Sequence, residues 1–459
     1  MRFIQILLFF IFAIPVLTIG QNHTLSLQIE NMPSGEIYLA DFYGDKNTYV
    51  DTALIDESGN AVFEMKKDLQ PGLFRVLLNQ NMFFDIIYNN EDIAIATDAQ
   101  DLYEGLVIEK SEENKIYYDF LRKMNDYNRK FDLLSPINDY YPRNDTFFII
   151  GRQEFILVQA ELIAWMEKTV QEHPAMWVSK IMKQRKPLYF DPSLTEPGRR
   201  EYAVEHFFDN VDFTDVDLLR SNVYTSMAIE YISLYGNPNF TQEQLQKEFI
   251  KAVDKIMYKA MDNSIVYQFI VEYLVGGFEK YHFDLVLDYI AENYAPEQCE
   301  NENAVSDLET RLKKYALLSV GKQAPEIEIA DSEGKPVSLY EIKSKYTLLI
   351  FWSSTCPHCV QTLPEIEKLY NSSLQSKDLT IFTVSLDTEE AAWKEALKGN
   401  YLDWINTCSF KGWNTKAAVD YNVYATPTMF LLDKEKKILA KPITLNELKG
   451  ALMQENLLQ

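Results

Sequence analysis

Along His23–Glu30 the apolar residues fall on alternate positions, Leu25, Leu27 and Ile29, with polar residues between them. A period of two turns one side of an extended segment toward a core. Short runs that read the same way follow at Glu36–Phe42, Thr48–Ile55, Ala61–Met65, Leu73–Leu78 and Asp92–Ala96. Turn-forming clusters separate them, among them Pro33-Ser34-Gly35, Glu57-Ser58-Gly59-Asn60 and Asn89-Asn90. Short strands at this spacing predict an antiparallel sandwich or barrel, and residues 21–108 are read as an all-β sandwich domain.

Near Ser111 the period lengthens. Ile156, Ala160, Ile163, Met166 and Val170 recur at steps of three and four, which places them on one face of a helix. Comparable stretches run through Lys115–Phe131, Val216–Leu234, Gln242–Met261, Ile265–Asn293 and Asn303–Leu317, with breaks at His173-Pro174, Glu196-Pro197-Gly198 and Gly236-Asn237-Pro238. Residues 109–318 are therefore read as an all-helical part joining its two neighbours. From residue 319 to 459 strand and helix patterns alternate. A hairpin is expected at Ile327–Ala330 and Pro336–Leu339, and strands at Thr347–Trp352, Leu379–Leu386, Thr428–Leu432 and Lys437–Ala440. Helices are expected at Pro357–Tyr370, Glu389–Lys398, Asn414–Tyr421 and Leu445–Gln454. Such alternation predicts an α/β sheet with helices on both faces.

The first twenty residues fit none of these periods. Arg2 precedes a nearly continuous apolar stretch from Ile4 to Val16, and Thr18 and Gly20 are the small residues of a cleavage site before Gln21. Residues 1–20 read as a secretory signal peptide, the alternative being an uncleaved N-terminal anchor. The stretch is shorter than the roughly 20 residues that span a bilayer, and no other stretch is long and apolar enough. No membrane span is expected after cleavage, and the destination is the periplasm.

Composition adds three constraints. The length of 459 residues allows about three domains. The net charge of −24 excludes a broad phosphate-binding surface, so no nucleic-acid partner is expected. Four cysteines, Cys299, Cys356, Cys359 and Cys408, are too few for a disulfide-stapled scaffold even in an oxidising compartment. Two of the four stand together as Cys356-Pro357-His358-Cys359, directly after an expected buried strand and at the start of an expected helix. A helix N-terminus presents unpaired N–H groups and about half a positive charge, and both favour thiolate over thiol. Cys359, one turn on, faces the same side and can displace a mixed disulfide from Cys356. His358 is expected to add positive charge beside the thiolate.

At this point the residues resemble the thioredoxin superfamily. Trp352 stands four residues before Cys356, Pro364 five after Cys359, and Thr426-Pro427-Thr428 precedes an apolar strand as the family's cis-proline loop does. The opening Val320-Gly321-Lys322-Gln323-Ala324-Pro325 and its hairpin look like the TlpA-like, AhpC/TSA-like subgroup of exported members. The resemblance implies a thiol–disulfide oxidoreductase with Cys356 and Cys359 as its redox pair and Pro357 and His358 tuning them. It implies further that Trp352, Thr426 and Pro427 line a substrate groove, and that no cofactor or metal is needed. Its partners would be protein thiols and disulfides, together with a second protein that recharges the pair. The Pro-His dipeptide matches disulfide-forming periplasmic enzymes, whose potentials lie ~150 mV, or roughly 7 kcal/mol, above thioredoxin's. A potential above thioredoxin's is expected.

The sequence also departs from the family. Where thioredoxins carry a buried aspartate six residues before the first cysteine, this chain has Ile350, and Thr362 stands where exported members often have glutamate. Water, Glu365 or Glu367 would have to accept the Cys359 proton. Residues 21–108 resemble a domain of unknown function (the DUF4369 type) found ahead of such redox domains in exported proteins of gut Bacteroidota. A spacer or lid and a substrate-docking platform are both open readings for it.

Three readings compete with disulfide exchange. The Cys pair could be a structural disulfide or half a metal site, but no second CxxC and no histidine cluster supplies the remaining zinc ligands. A peroxiredoxin-like peroxidase would use Cys356 alone, which the Cys359 partner argues against. The protein could also be a redox-idle binding or scaffold protein of the cell envelope. Cys408 lies in the apolar run Ile405–Phe410 and reads as a buried small hydrophobe, with a third redox thiol as the alternative. Cys299 and the scattered His23, His173, His206 and His282 read as bystanders.

Overall fold

The computed structural model describes residues 23–281, 283–294, 302–374, 378–398, 401 and 403–458. The apolar leader, Cys299 and His282 lie outside the described residues. Packing divides the chain into two compact units, Met1–Leu234 and Tyr235–Gln459.

The first unit opens with β1 (His23–Glu30), β2 (Gly35–Tyr43), β3 (Lys46–Ile55), β4 (Asn60–Met65), β5 (Gly72–Leu77), β6 (Phe83–Tyr88), β7 (Ile93–Asp98) and β8 (Val107–Lys110). They form two four-stranded sheets, ordered β4-β1-β7-β8 and β3-β2-β5-β6. The period of two does what it predicts: in β4, Ala61, Phe63 and Met65 are buried while Asn60, Val62 and Glu64 are exposed. The sandwich is not wholly antiparallel, however, because β1 pairs with β7 in parallel. β6 and β8 went unread in the sequence. Five of the six residues of β6 are apolar, so it carries no alternation, and β8 has only four residues with none buried. The turn before β4 needs Gly59, whose φ is +80° and whose missing Cβ would lie 2.3 Å from the Ile29 carbonyl oxygen.

Helices α1 (Glu112–Tyr140), α2 (Thr146–Glu172), α3 (Trp177–Gln184), α4 (Glu196–His206) and α5 (Val223–Ser233) complete this unit. Buried Asn114 at the start of α1 accepts from the Ile87 N–H at 2.8 Å and donates to the Ile87 carbonyl at 2.7 Å. Its amide thereby acts as one more ladder partner for β6. The Glu196-Pro197-Gly198 run, read as a break, begins a helix. Thr195 caps it by accepting from Gly198 N–H, and proline in the first turn has no hydrogen bond to lose.

The second unit begins with α6 (Gln242–Ala260), α7 (Ser264–Lys280), α8 (Asp284–Asn293) and α9 (Glu302–Leu317). The stretch read as one helix over Ile265–Asn293 is two, α7 and α8. By element type the chain runs strands, helices, then α/β. By packing, the helices divide, α1–α5 going with the sandwich and α6–α9 with the C-terminal sheet.

A hairpin of β9 (Glu328–Ala330) and β10 (Pro336–Ser338) precedes the five-stranded sheet of β11 (Tyr346–Trp352), β12 (Leu379–Ser385), β13 (Ile405–Cys408), β14 (Thr428–Leu432) and β15 (Ile438–Ala440). Its order is β13-β12-β11-β14-β15, with β11, β12 and β13 parallel and β14 and β15 antiparallel. Between the strands run α10 (Pro357–Leu369), α11 (Glu390–Leu397) and α12 (Lys416–Asp420), and α13 (Leu445–Gln454) follows them. Every residue of β11 is buried, because both faces of the sheet are covered. Leu348, Ile350 and Trp352 pack with Cys359, Leu363 and Ile366 on one face; Leu349 and Phe351 pack with Phe382, Tyr421 and Phe430 on the other. This is the thioredoxin-like fold. Among the described residues no helix is long and apolar enough to cross a membrane.

Candidate active site

The site lies where β11 ends and α10 begins. The Ser353-Ser354-Thr355 link between them is held by Asp387, which follows β12 and is only 5% exposed. Its carboxylate accepts from the Ser354 N–H at 3.0 Å, from the Ser353 and Ser354 hydroxyls at 2.9 and 2.8 Å, and from the Ser385 hydroxyl at 2.6 Å. Burying a carboxylate is costly unless each oxygen is bonded, and here each is. The loop that delivers Cys356 is thus fixed from beneath.

Cys356 is the N-cap of α10, and its Sγ accepts from the Cys359 backbone N–H at 3.2 Å. Sulfur takes the place usually filled by a serine or aspartate oxygen. Cys356 is half-buried, Pro357 and His358 are exposed, and Cys359 is 1% exposed. The two environments push the thiols in opposite directions. For Cys356 burial works against ionisation. Hydrogen bonds from the Cys359 thiol, the Thr426 side chain and the N–H groups of Cys359 and His358 overcome it and hold the thiol below its usual value. For Cys359 burial, reinforced by the bond to Cys356, pushes the thiol up to about 12. All the described cysteines are free thiols.

The residues expected at the site take up different positions. His358 acts on the sulfur through its backbone N–H, and it is one of the residues lining a cavity beside it. The Thr426-Pro427 peptide is cis, and the Thr426 carbonyl accepts from the Cys356 thiol at 3.2 Å. Trp352 is 3% exposed, with its ring edge toward Tyr401 at 6.0 Å between centroids. It packs with Cys359 beneath the sulfurs and does not line the cavity along the cis-proline loop. Glu365 pairs with Lys368, and Glu367 accepts from the Tyr401 N–H, so each carboxylate is engaged elsewhere. Neither is among the groups that act on Cys359.

Cys408 is 4% exposed, its thiol is raised by burial, and its Sγ donates to the Asp387 carbonyl at 3.5 Å. That environment is one for a small hydrophobe. Sequence reasoning missed Asp387, since one acid after an apolar strand resembles any strand end. It also missed Asp284 and Lys441 beside the cavity, more than a hundred residues apart in the chain.

Comparison with known proteins adds the family. The chain matches the AhpC/TSA family over residues 320–441 and a domain of unknown function, DUF4369, over residues 23–117. It is 33% identical over 140 residues to the thiol-disulfide oxidoreductase ResA of Bacillus cereus, a match covering 30% of this chain and 79% of that protein. The ResA of Bacillus thuringiensis subsp. konkukian is 30% identical over 144 residues, covering 31% and 78%. The solved thioredoxin domain of a thiol-disulfide oxidoreductase from Bacteroides vulgatus is 32% identical, covers 30% of this chain and 98% of its own, and has a TM-score of 0.28. A free thiol pair at a helix start, and relatives matched over more than three-quarters of their length, lead to one assignment: the chain belongs to the AhpC/TSA family within the thioredoxin superfamily, a thiol-disulfide oxidoreductase with a DUF4369 domain ahead of it.

Proposed function

We propose that the protein exchanges disulfides with protein substrates through its Cys-Pro-His-Cys centre, with Cys356 as nucleophile and Cys359 as resolving thiol. The observation that carries this reading is the split between the two sulfurs. One is accessible, caps a helix and is shifted toward thiolate; the other is buried and shifted toward thiol.

In the reducing direction the Cys356 thiolate attacks one sulfur of a substrate disulfide. A Cys356–substrate disulfide forms, and the other substrate sulfur leaves as thiolate and takes a proton from water. Cys359 then passes its proton to water and attacks the Cys356 sulfur; the Cys356–substrate bond breaks, and the second substrate sulfur leaves as thiolate and takes a proton from water. The substrate gains two electrons and the pair becomes a Cys356–Cys359 disulfide. The same steps run in reverse to oxidise a dithiol, so a second protein must reset the pair. Thr426 and Pro427 shape the groove for the substrate segment, Trp352 supports the pair from beneath, and His358 and Pro357 tune it. No cofactor or metal enters any step.

The apolar leader supports export with cleavage before Gln21 and residence in the periplasm. The boundaries we propose are 1–20 for the leader, 21–108 for the sandwich, 109–318 for the helical part and 319–459 for the redox part. The test of the mechanism is the Cys359→Ala variant of the full chain expressed in its cell. Disulfide-linked adducts on Cys356 should appear on a non-reducing gel and vanish with dithiothreitol. Absence of adducts, or adducts that persist when Cys356 is also replaced, would overturn the assignment.

A further inference from the structure

Beside the redox pair the second unit holds a cavity of about 360 Å3. Its first wall is Thr426 and Pro427 of the cis-proline loop, with His358 at the rim. Its second wall comes from helices that precede the α/β part: Asp284 at the start of α8, Tyr315 in α9 and Leu318 just after it. Phe430 and Leu318, each 3% exposed, make it apolar, and Tyr424, 46% exposed, stands at the opening. That size and mixture suit the burial of a side chain with a polar end.

The charges in the cavity are not equally available. Lys441 lines it, but its side chain is 7% exposed and its Nζ is held by both oxygens of buried Asp288, at 3.0 and 3.1 Å. Asp284 is 23% exposed, lies 3.8 Å from Lys441, and accepts from the Tyr424 hydroxyl at 3.3 Å. The cation is committed to Asp288, and the carboxylate that faces a visitor is that of Asp284.

We propose that this cavity is the subsite for a basic side chain standing next to the cysteine of a polypeptide substrate, with Asp284 as its counter-charge. The proposal rests on Cys356 being the attacking sulfur, as argued above. A guanidinium would meet both a carboxylate and tyrosine rings of the kind it stacks on. An acidic side chain would meet Asp284 while Lys441 is held by Asp288, and an aliphatic one would cover Asp284 while adding no charge to pair with it.

The experiment uses the reduced full-length protein and short peptides, each with one cysteine linked by a disulfide to 2-mercaptoethanol. The residue beside the cysteine is Arg, Leu or Glu. At low ionic strength the Arg peptide should react about tenfold faster than the Glu peptide, and added salt should shrink that ratio. Asp284→Asn should bring the ratio toward one and Asp284→Lys should invert it. Each variant is judged by its own Arg-to-Glu ratio, so a general loss of activity does not enter. Equal rates for the two peptides in the unsubstituted protein, or a preference that survives Asp284→Lys, would overturn the subsite. Bis(2-hydroxyethyl) disulfide, small and uncharged, separates the two levels. If the unsubstituted protein fails to reduce it, attack by Cys356 is wrong and the subsite falls with it; if it reduces it but does not discriminate between peptides, the subsite alone is wrong.

Discussion

At the scale of single residues, chemistry is set by what bonds to each sulfur. Cys356 and Cys359 are three residues apart and carry the same side chain, yet one is shifted below and the other above the usual thiol value. Alkylation with iodoacetamide across pH should therefore show Cys356 reacting on a curve whose midpoint lies below the ~8.5 of an ordinary thiol. Cys359 should stay unmodified in the folded protein until pH approaches about 12. The sign follows from the thiolate being the reactive form, so a lowered pKa brings reactivity in at lower pH. Peptide mapping after alkylation checks both. Asp387 is the second residue with a clear expectation. An amide in its place can accept through only one oxygen and turns its NH2 toward donors. Asp387→Asn should lower stability by about 2–3 kcal/mol, read from urea midpoints, because buried donors of the Ser353–Ser354 link lose their acceptor.

At the scale of elements, Asn114 deserves a test of the same kind. It completes the hydrogen bonding of Ile87 from outside the sheet, so Asn114→Ala leaves a buried N–H and a buried C=O unpaired. A loss of about 2–4 kcal/mol is expected on denaturant unfolding, since each such group costs roughly 1–2. The elements also mark where the sequence could be read. β1 and β4 were legible because one face is buried and one is wet, and β11 because its apolar run sits between a hairpin and a Cys-x-x-Cys helix start. β6 was not, since its run Phe83–Tyr88 is nearly all apolar and shows no period. The parallel pairing of β1 with β7 was also hidden, for local pattern carries no information about which distant strand is the neighbour. The spacing of Cys356, Cys359 and the Thr426-Pro427 loop in the sequence did carry their juxtaposition, with the cis peptide beside the Cys356 sulfur. Trp352 was found by spacing too, but its burial beneath the sulfurs was not, because position along a strand does not tell which layer a ring occupies.

At the scale of the whole molecule, the redox half is not assembled from residues 319–459 alone. Lys441, two residues before α13 is led in by Ile443 and Thr444, is matched by Asp288 of α8, 153 residues earlier. Burial raises Asp288 to about 6 even beside this lysine, so the pair sits in a poorly solvated place. Lys441→Met should destabilise the protein by about 3 kcal/mol, and adding Asp288→Leu should recover most of that loss. Thermal or urea unfolding of the two variants checks it, with no recovery in the double variant as the contrary result.

That pairing has a practical consequence for anyone who trims the protein to its enzymatic end. A fragment starting at Val320 keeps both sulfurs and the sheet but discards Asp284 and Asp288. Lys441 loses both of its counter-ions, and the cavity loses the side formed by Asp284, Tyr315 and Leu318. On the subsite proposed above, such a fragment would reduce generic disulfides and lose the preference between the Arg and Glu peptides.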